Sequence, residues 1–339
     1  MDFRLAPFRE PRSPLRRAAT WSLIPLGLSA GWLGAAALRV PHDVPLDLPL
    51  DAEMATLHIP FGDLATYAAG PSEGVPLLLV HSINAAASAY EVRPLFEHYS
   101  RSRPVYALDL PGYGLSDRRD RIYTPRLMTD ALIAMIEQIR SKHGTFPIDV
   151  VALSLSSEFA ARAASDHPTY FRSLGLIAPT GFDSRREVEG PAGETFGNAS
   201  ARDIVSFPAW GRPLFDALTS RVSMRFFLEK TFGAKRIDEG LLDYGWAAAH
   251  QQDAEHAPFS FLAGFLFSKD ALTLHKGLAM PVWMAHGVRG DFVDYKRKSE
   301  VEGKPGWTID VFQTGALPHF EKLDAVTAAY DAFLTKVAG

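Results

Sequence analysis

The sequence predicts an α/β fold: a mostly parallel central sheet with helices on both faces and an all-helical insertion late in the chain. Three observations predict it. From residue 53 onward, short apolar runs alternate with stretches of helical periodicity, the rhythm of a parallel sheet wound with helices. Some of these runs, PLLLVH at 76–81 above all, are continuously apolar up to their last residue, as strands buried on both faces are. A stretch of about a hundred residues, 183–280, holds no convincing strand and is rich in aromatics such as Phe207, Trp210, Phe226 and Trp246.

In order, 54–59 and 64–68 read as paired opening strands around a Pro60-Phe61-Gly62-Asp63 turn. The buried run 76–81 follows, then a helix near 91–99 and a strand at 105–108. Thr124 is placed to cap a helix reaching Arg140, with Leu127, Ala131, Ile133, Ala134 and Ile136 at helical spacing. Strand 148–153, helix 158–165 and strand 173–178 come next. After the insertion, strands 281–285 and 307–312 and a closing helix 320–336 complete the pattern. Most of the insertion's aromatics are expected to form its own core.

With 339 residues, 47% hydrophobic and 22% charged, the chain is globular rather than disordered. Its length suits two compact units or one large α/β domain with an insertion. The net charge of −4 offers no footprint for nucleic acid. The absence of cysteine excludes a disulfide framework, a thiolate metal site and a cysteine nucleophile. Neither a P-loop nor a dinucleotide fingerprint occurs.

Residues 1–17 form a basic tail with a balance of +3, and residues 18–38 carry no charge at all. As a helix those 21 residues would span about 31 Å, close to the thickness of a bilayer's hydrocarbon core. An uncleaved membrane anchor is the leading expectation, with the arginines cytoplasmic and the folded part on the other side. A signal peptide cut near Ala35-Ala36-Ala37, giving export, and a helix lying on the protein or flat on a membrane stay open, as does a cytoplasmic location. Residues 39–52, with Pro41, Pro45 and Pro49, read as a semi-rigid linker.

The chemistry centres on Ser154. The strand 148–153 runs straight into Ser154-Leu155-Ser156-Ser157 and then a helix. A serine on such a turn projects its hydroxyl from the C-terminal edge of the sheet, with a helix N-terminus behind it for an oxyanion. The turn needs small neighbours, here Ala152 and Ser156. A serine also needs a base, and the base an orienting carboxylate. His319, in GALPHFE at 315–321, follows the last strand, and Asp291, in GVRGD at 287–291, follows the penultimate one. Asp294 and Asp183 are rivals for the carboxylate role. His250, Asp253, Glu255 and His256 supply no convincing metal set, because a spacing of six puts the two histidines on opposite sides of a helix. Asn198-Ala199-Ser200 is a glycosylation sequon in form only.

The order Ser154…Asp291…His319 resembles that of the α/β-hydrolase superfamily, as do two further segments. LLVHSIN at 78–84 looks like its oxyanion strand-loop, and LDLPGYGLSD at 108–117 is similar to its D-x-P-G-x-G-x-S-D motif almost letter for letter. The resemblance covers residues 53–339. It implies an oxyanion hole from the backbone N–H groups of Ile83 and Leu155, a structural role for His81, and a helical lid at about 183–280. Departures are Ser82 beside the oxyanion donor and Ala152, Ser156 and Ser157 at the elbow, where the family has glycines. Relatives that dehalogenate alkanes or open epoxides use an Asp nucleophile, so Ser154 points away from both.

The expected function is a serine hydrolase of the carboxylic-ester type, acting without metal or organic cofactor on a small hydrophobic ester or acyl substrate. Carbon–carbon bond hydrolysis, cofactor-free perhydrolysis and a non-catalytic binding role on the same fold are the alternatives.

Overall fold

The computed structural model describes residues 40–184 and 190–339 of the chain. The basic tail 1–17 and the uncharged segment 18–38 lie outside the described residues. Among those described, no helix is long and apolar enough to cross a membrane.

Eight strands form one sheet in the order β1-β2-β4-β3-β5-β6-β7-β8. They are β1 Glu53–Ile59, β2 Gly62–Ala69, β3 Leu77–Val80, β4 Val105–Leu108, β5 Ile148–Leu153, β6 Phe171–Ile177, β7 Val282–His286 and β8 Trp307–Val311. β1–β2 and β2–β4 pair antiparallel, and every later pair is parallel. The helices are α1 Arg93–Tyr99, α2 Pro125–His143, α3 Ser156–Asp166, α4 Ala199–Val205, α5 Gly211–Leu218, α6 Arg221–Phe232, α7 Glu239–Ala249, α8 His256–Leu262, α9 Ala271–Lys276, α10 Pro318–Glu321 and α11 Leu323–Ala338.

The uniformly apolar strands are explained by two cores, one on each face of the sheet. β5 sends Ile148, Val150 and Ala152 to one and Val151 and Leu153 to the other. β3 divides likewise, Leu78 and Val80 against Leu77 and Leu79. α2 and α3 cover the first face, through Met128, Leu132, Phe159 and Ala163. α1 and α11 cover the second, through Leu95, Phe96, Val326 and Tyr330. Thr124 caps α2 as its sequence position suggests, accepting from Leu127 N–H at 3.3 Å.

Two expected helices are broken. The stretch near 91–99 is a 3₁₀ turn at Ala89–Val92 followed by α1, with Pro94 in the first turn of α1. The closing helix is split at Lys322 into α10 and α11. The Glu321 carboxylate is spent on Gly315 N–H at 2.6 Å and on Arg289, which ties α10 to the loops at the sheet edge.

Between β6 and β7 the described residues hold α4 to α9 and no strand, only an isolated bridge between Thr195 and Ser268. Its aromatics divide between core and surface, with Trp246, Phe261 and Phe267 packed against core clusters. Phe215 and Phe259 are buried, whereas Phe207, Trp210, Phe226 and Phe227 are exposed. Residues 40–52 likewise differ from a free spacer. They have no regular structure, yet Val44 N–H and C=O bond His250 O and Gln251 Nε2, and Asp47 O accepts from Tyr244 Oη at 3.0 Å.

Candidate active site

Ser154 stands between β5 and α3 with φ of 51°, in the left-handed region that an L-residue enters only at a cost of about 1–2 kcal/mol. Its N–H still bonds Ile177 O at 2.8 Å, so the sheet ladder runs into the turn and imposes the conformation. Strain held at one residue by surrounding structure is a mark of a functional position.

The residues that stand where glycines were expected have work of their own. Ser156 is fully buried, and its hydroxyl donates to His81 C=O at 2.6 Å, joining the elbow to the loop after β3. The Ser157 hydroxyl donates to Ser154 C=O. His81 is structural: Nδ1 donates to Ser82 C=O at 2.6 Å and Nε2 accepts Leu110 N–H at 2.9 Å.

Ile83 follows Ser82 in that loop and is buried in the first core. No hydrogen bond among the described residues uses the N–H of Ile83 or of Leu155. What shapes the loop is Glu91, which sequence reasoning missed. Its buried carboxylate accepts Ser82 N–H at 2.7 Å and Asn84 Nδ2 at 2.6 Å, while Asn84 Oδ1 accepts Ala86 N–H at 2.7 Å. The acid at the start of the 91–99 stretch was the only available signal, and helix N-termini commonly carry one.

The LDLPGYGLSD segment is a structural knot beside this loop. The buried Asp109 carboxylate accepts from Tyr67 Oη at 2.6 Å, Ala89 N–H at 2.7 Å and Leu115 N–H at 2.8 Å. Gly114, at φ 50°, lies so close that a Cβ there would stand 2.0 Å from the carboxylate carbon. The motif is specific because its letters are spent on holding Asp109.

His319 lies in α10, fully buried. Its Nε2 is 2.8 Å from Glu91 C=O, and its Nδ1 has no hydrogen-bond partner. Burial pushes its pKa down to about 4. No hydrogen bond joins either ring nitrogen to Ser154 Oγ or to Asp291. Asp291 is half exposed and pairs with Lys230 of α6, while its N–H bonds Lys230 C=O at 3.2 Å. Asp294 accepts from the Ser184 hydroxyl at 2.7 Å, a bond that holds its carboxyl below the usual range. The three sequence-predicted residues therefore stand at the C-terminal edge of the sheet without being joined in one chain of hydrogen bonds.

Helix α6 covers this edge. Thr231 C=O accepts Ala316 N–H at 2.8 Å in the His319 loop, and Phe232 packs edge-on against Phe320. α6 and α7 also share an apolar cluster with Ala86, Tyr90 and Leu317. Further out, one donor atom each of Asp253, Glu255 and His256 lies within 4.8 Å of the others; His250 is not among them, and Glu255 pairs with Arg212 at 2.7 Å.

Comparison with known proteins agrees with this architecture. The family described as alpha/beta hydrolase fold matches residues 75–260. A curated relative, 1-acylglycerol-3-phosphate O-acyltransferase ABHD5 of Sus scrofa, is 29% identical over 154 residues, 44% of this chain and 38% of that protein. The match thus spans well under half the length of that relative. Among solved structures, a membrane phospholipase A, described as a bacterial virulence factor, superimposes with a TM-score of 0.61 at 16% identity, covering 96% of this chain and 97% of that one. The 2-hydroxy-6-oxo-6-phenylhexa-2,4-dienoate hydrolase of Rhodococcus sp. strain RHA1 gives 0.63 at 15% identity, covering 84% and 99%. With more than half its length matched by the family, and a strained serine at the strand–helix junction of a mostly parallel eight-stranded sheet, this chain belongs to the alpha/beta hydrolase fold family.

Proposed function

We propose that the chain is a serine hydrolase that cleaves carboxylic esters of hydrophobic acids or alcohols through an acyl-enzyme on Ser154. The observation that carries this reading is the left-handed backbone of Ser154 at the junction of β5 and α3. Ser154 Oγ attacks the ester carbonyl while His319 takes its proton. The N–H groups of Ile83 and Leu155 receive the oxyanion. His319 then returns the proton to the departing alcohol, and water activated by the same imidazole releases the acid. Asp291 is proposed as the carboxylate that orients the imidazole.

This sequence of steps requires His319 to leave Glu91 C=O and Asp291 to leave Lys230. Both restraints meet at α6, which holds Asp291 through Lys230 and the His319 loop through Thr231. Displacement of α6 by substrate is the proposed activating step. An ester rather than a carbon–carbon substrate is favoured by the uncharged segment at 18–38, which suits life beside lipid, and by the name of the phospholipase neighbour. Residues 18–38 are proposed to anchor the chain, with the hydrolase domain on the non-cytoplasmic side. The engaged state of His319 favours a second reading, a binding protein on the same fold.

Labelling of the full-length chain in detergent by a fluorophosphonate probe, beside its Ser154→Ala variant, separates the two. An enzyme labels at Ser154 and turns over aryl and glyceride esters, with the variant silent in both assays. A folded wild-type chain that neither labels nor hydrolyses any ester would sink the hydrolase reading.

A further inference from the structure

The helical insertion carries several large apolar side chains that are exposed. Ile204 in α4, Phe207 and Trp210 in the following turn, Leu214 in α5, and Val222 and Phe226 in α6 are all exposed, Val222 by 82% and Phe226 by 51%. The Phe207 and Trp210 rings lie 4.4 Å apart at a tilt of 31°, and Trp210 Nε1 donates to Ile204 C=O at 2.7 Å, which fixes the indole in place. Val222 and Phe226 stand one helical turn apart on α6. Monomeric soluble proteins seldom leave large apolar patches uncovered.

The point where the chain enters the described structure says what covers it. His42 lies 3.6 Å from the buried Asp216 of α5 and stacks over His250 at the end of α7. Val40 is two residues earlier, at most about 7 Å further along the chain. Immediately before it come Arg39 and the 21 uncharged residues 18–38. The exposed apolar face and the exit toward the bilayer-length segment thus belong to the same small group of helices.

We infer that this face of α4, α5 and α6 rests in the interfacial layer of a lipid bilayer, as a second membrane contact beside residues 18–38. The contact is apolar rather than electrostatic. The bordering cations are already paired, Arg221 with Asp243, Arg225 with Glu239 and Lys230 with Asp291, and the chain's net charge is −4. Zwitterionic lipid therefore suffices, and salt leaves the contact unchanged. The inference extends the anchor proposed above and concerns a surface that functions whether or not Ser154 is active.

The chain has no cysteine, so single-cysteine labelling is clean. Phe207→Cys and Val222→Cys, each in the full-length chain with an environment-sensitive fluorophore, are reconstituted in phosphatidylcholine vesicles containing brominated lipid. Phe146→Cys is the control: Phe146 is exposed by 73% and precedes β5, at the sheet edge opposite the one from which the insertion departs. The expected result is quenching at 207 and 222 several-fold stronger than at 146, unchanged between 0.05 and 0.5 M salt. Vesicle-bound protein with equal, weak quenching at all three sites overturns the inference. So does protein that fails to float with the vesicles, or a label at 207 shielded equally without lipid, which would assign the face to a second copy of the chain. The readout needs no turnover, so it stands or falls separately from the hydrolase reading.

Discussion

His319 Nε2 lies 2.8 Å from the main-chain oxygen of Glu91, the residue whose carboxylate receives Ser82 N–H and the Asn84 amide. A carbonyl only accepts, so Nε2 is the protonated nitrogen and Nδ1 the bare one. One residue thereby sets the tautomer of the proposed base and the shape of the loop that presents Ile83. Glu91→Gln keeps the carbonyl but turns one amide hydrogen pair toward a donor, which costs about 1–3 kcal/mol. The melting temperature is expected to fall, and ester turnover to drop by about tenfold or more with little change in KM. Unchanged melting and turnover would remove Glu91 from the site.

Asp291 is paired with Lys230, and His319 Nδ1 has no hydrogen-bond partner. Lys230→Met keeps the aliphatic stem over Phe226, which the ammonium now faces at 5.1 Å, and frees the carboxylate. A several-fold rise in kcat is expected, and in that background Asp291→Asn should lose nearly all of it. Full activity in Asp291→Asn would transfer the orienting role to Asp294 or Asp183.

Ser154 can be tested through its strain as well as its chemistry. At φ of 51° glycine is unstrained and alanine is not. Ser154→Gly and Ser154→Ala should both be inactive, with the glycine variant the more stable by about 1 kcal/mol in denaturant unfolding. Equal stability would mean that the turn is not strained.

His319 and His275 are both fully buried, and burial lowers each to about 4. The unfolded chain takes up a proton at each near pH 6.5, before the folded chain does. The stability contributed by the neutral rings is therefore complete above about pH 6.5 and is lost as pH falls toward 4. Urea midpoints should decline over that window, and His275→Leu should flatten part of the decline while sparing turnover. For catalysis by His319 in this environment, the acid limb of kcat/KM should lie near pH 4 rather than near 6.5.

The parallel sheet was legible because β3 is apolar at every position and β5 at every position but Asp149, a demand local enough to be read position by position. Asp109 was legible as a motif, although its bonds to Tyr67 and Ala89 come from elements 42 and 20 residues away. Glu91 was not. Its partners are a backbone N–H and an amide in a loop, and nothing in its own neighbourhood distinguishes it from any acid at a helix start. The insertion's aromatics were legible only in part, since composition records that a residue is apolar but not whether a neighbour covers it.

The sequence by itself determined the fold class, the succession of strands and helices in outline and the serine at the strand–helix junction, because these follow from periodicity and from the small residues around Ser154. Only the tertiary structure decided how His319, Asp291 and Glu91 are engaged. Those contacts join loops up to 228 residues apart, and which donor meets which acceptor there depends on how α6 closes over the sheet edge.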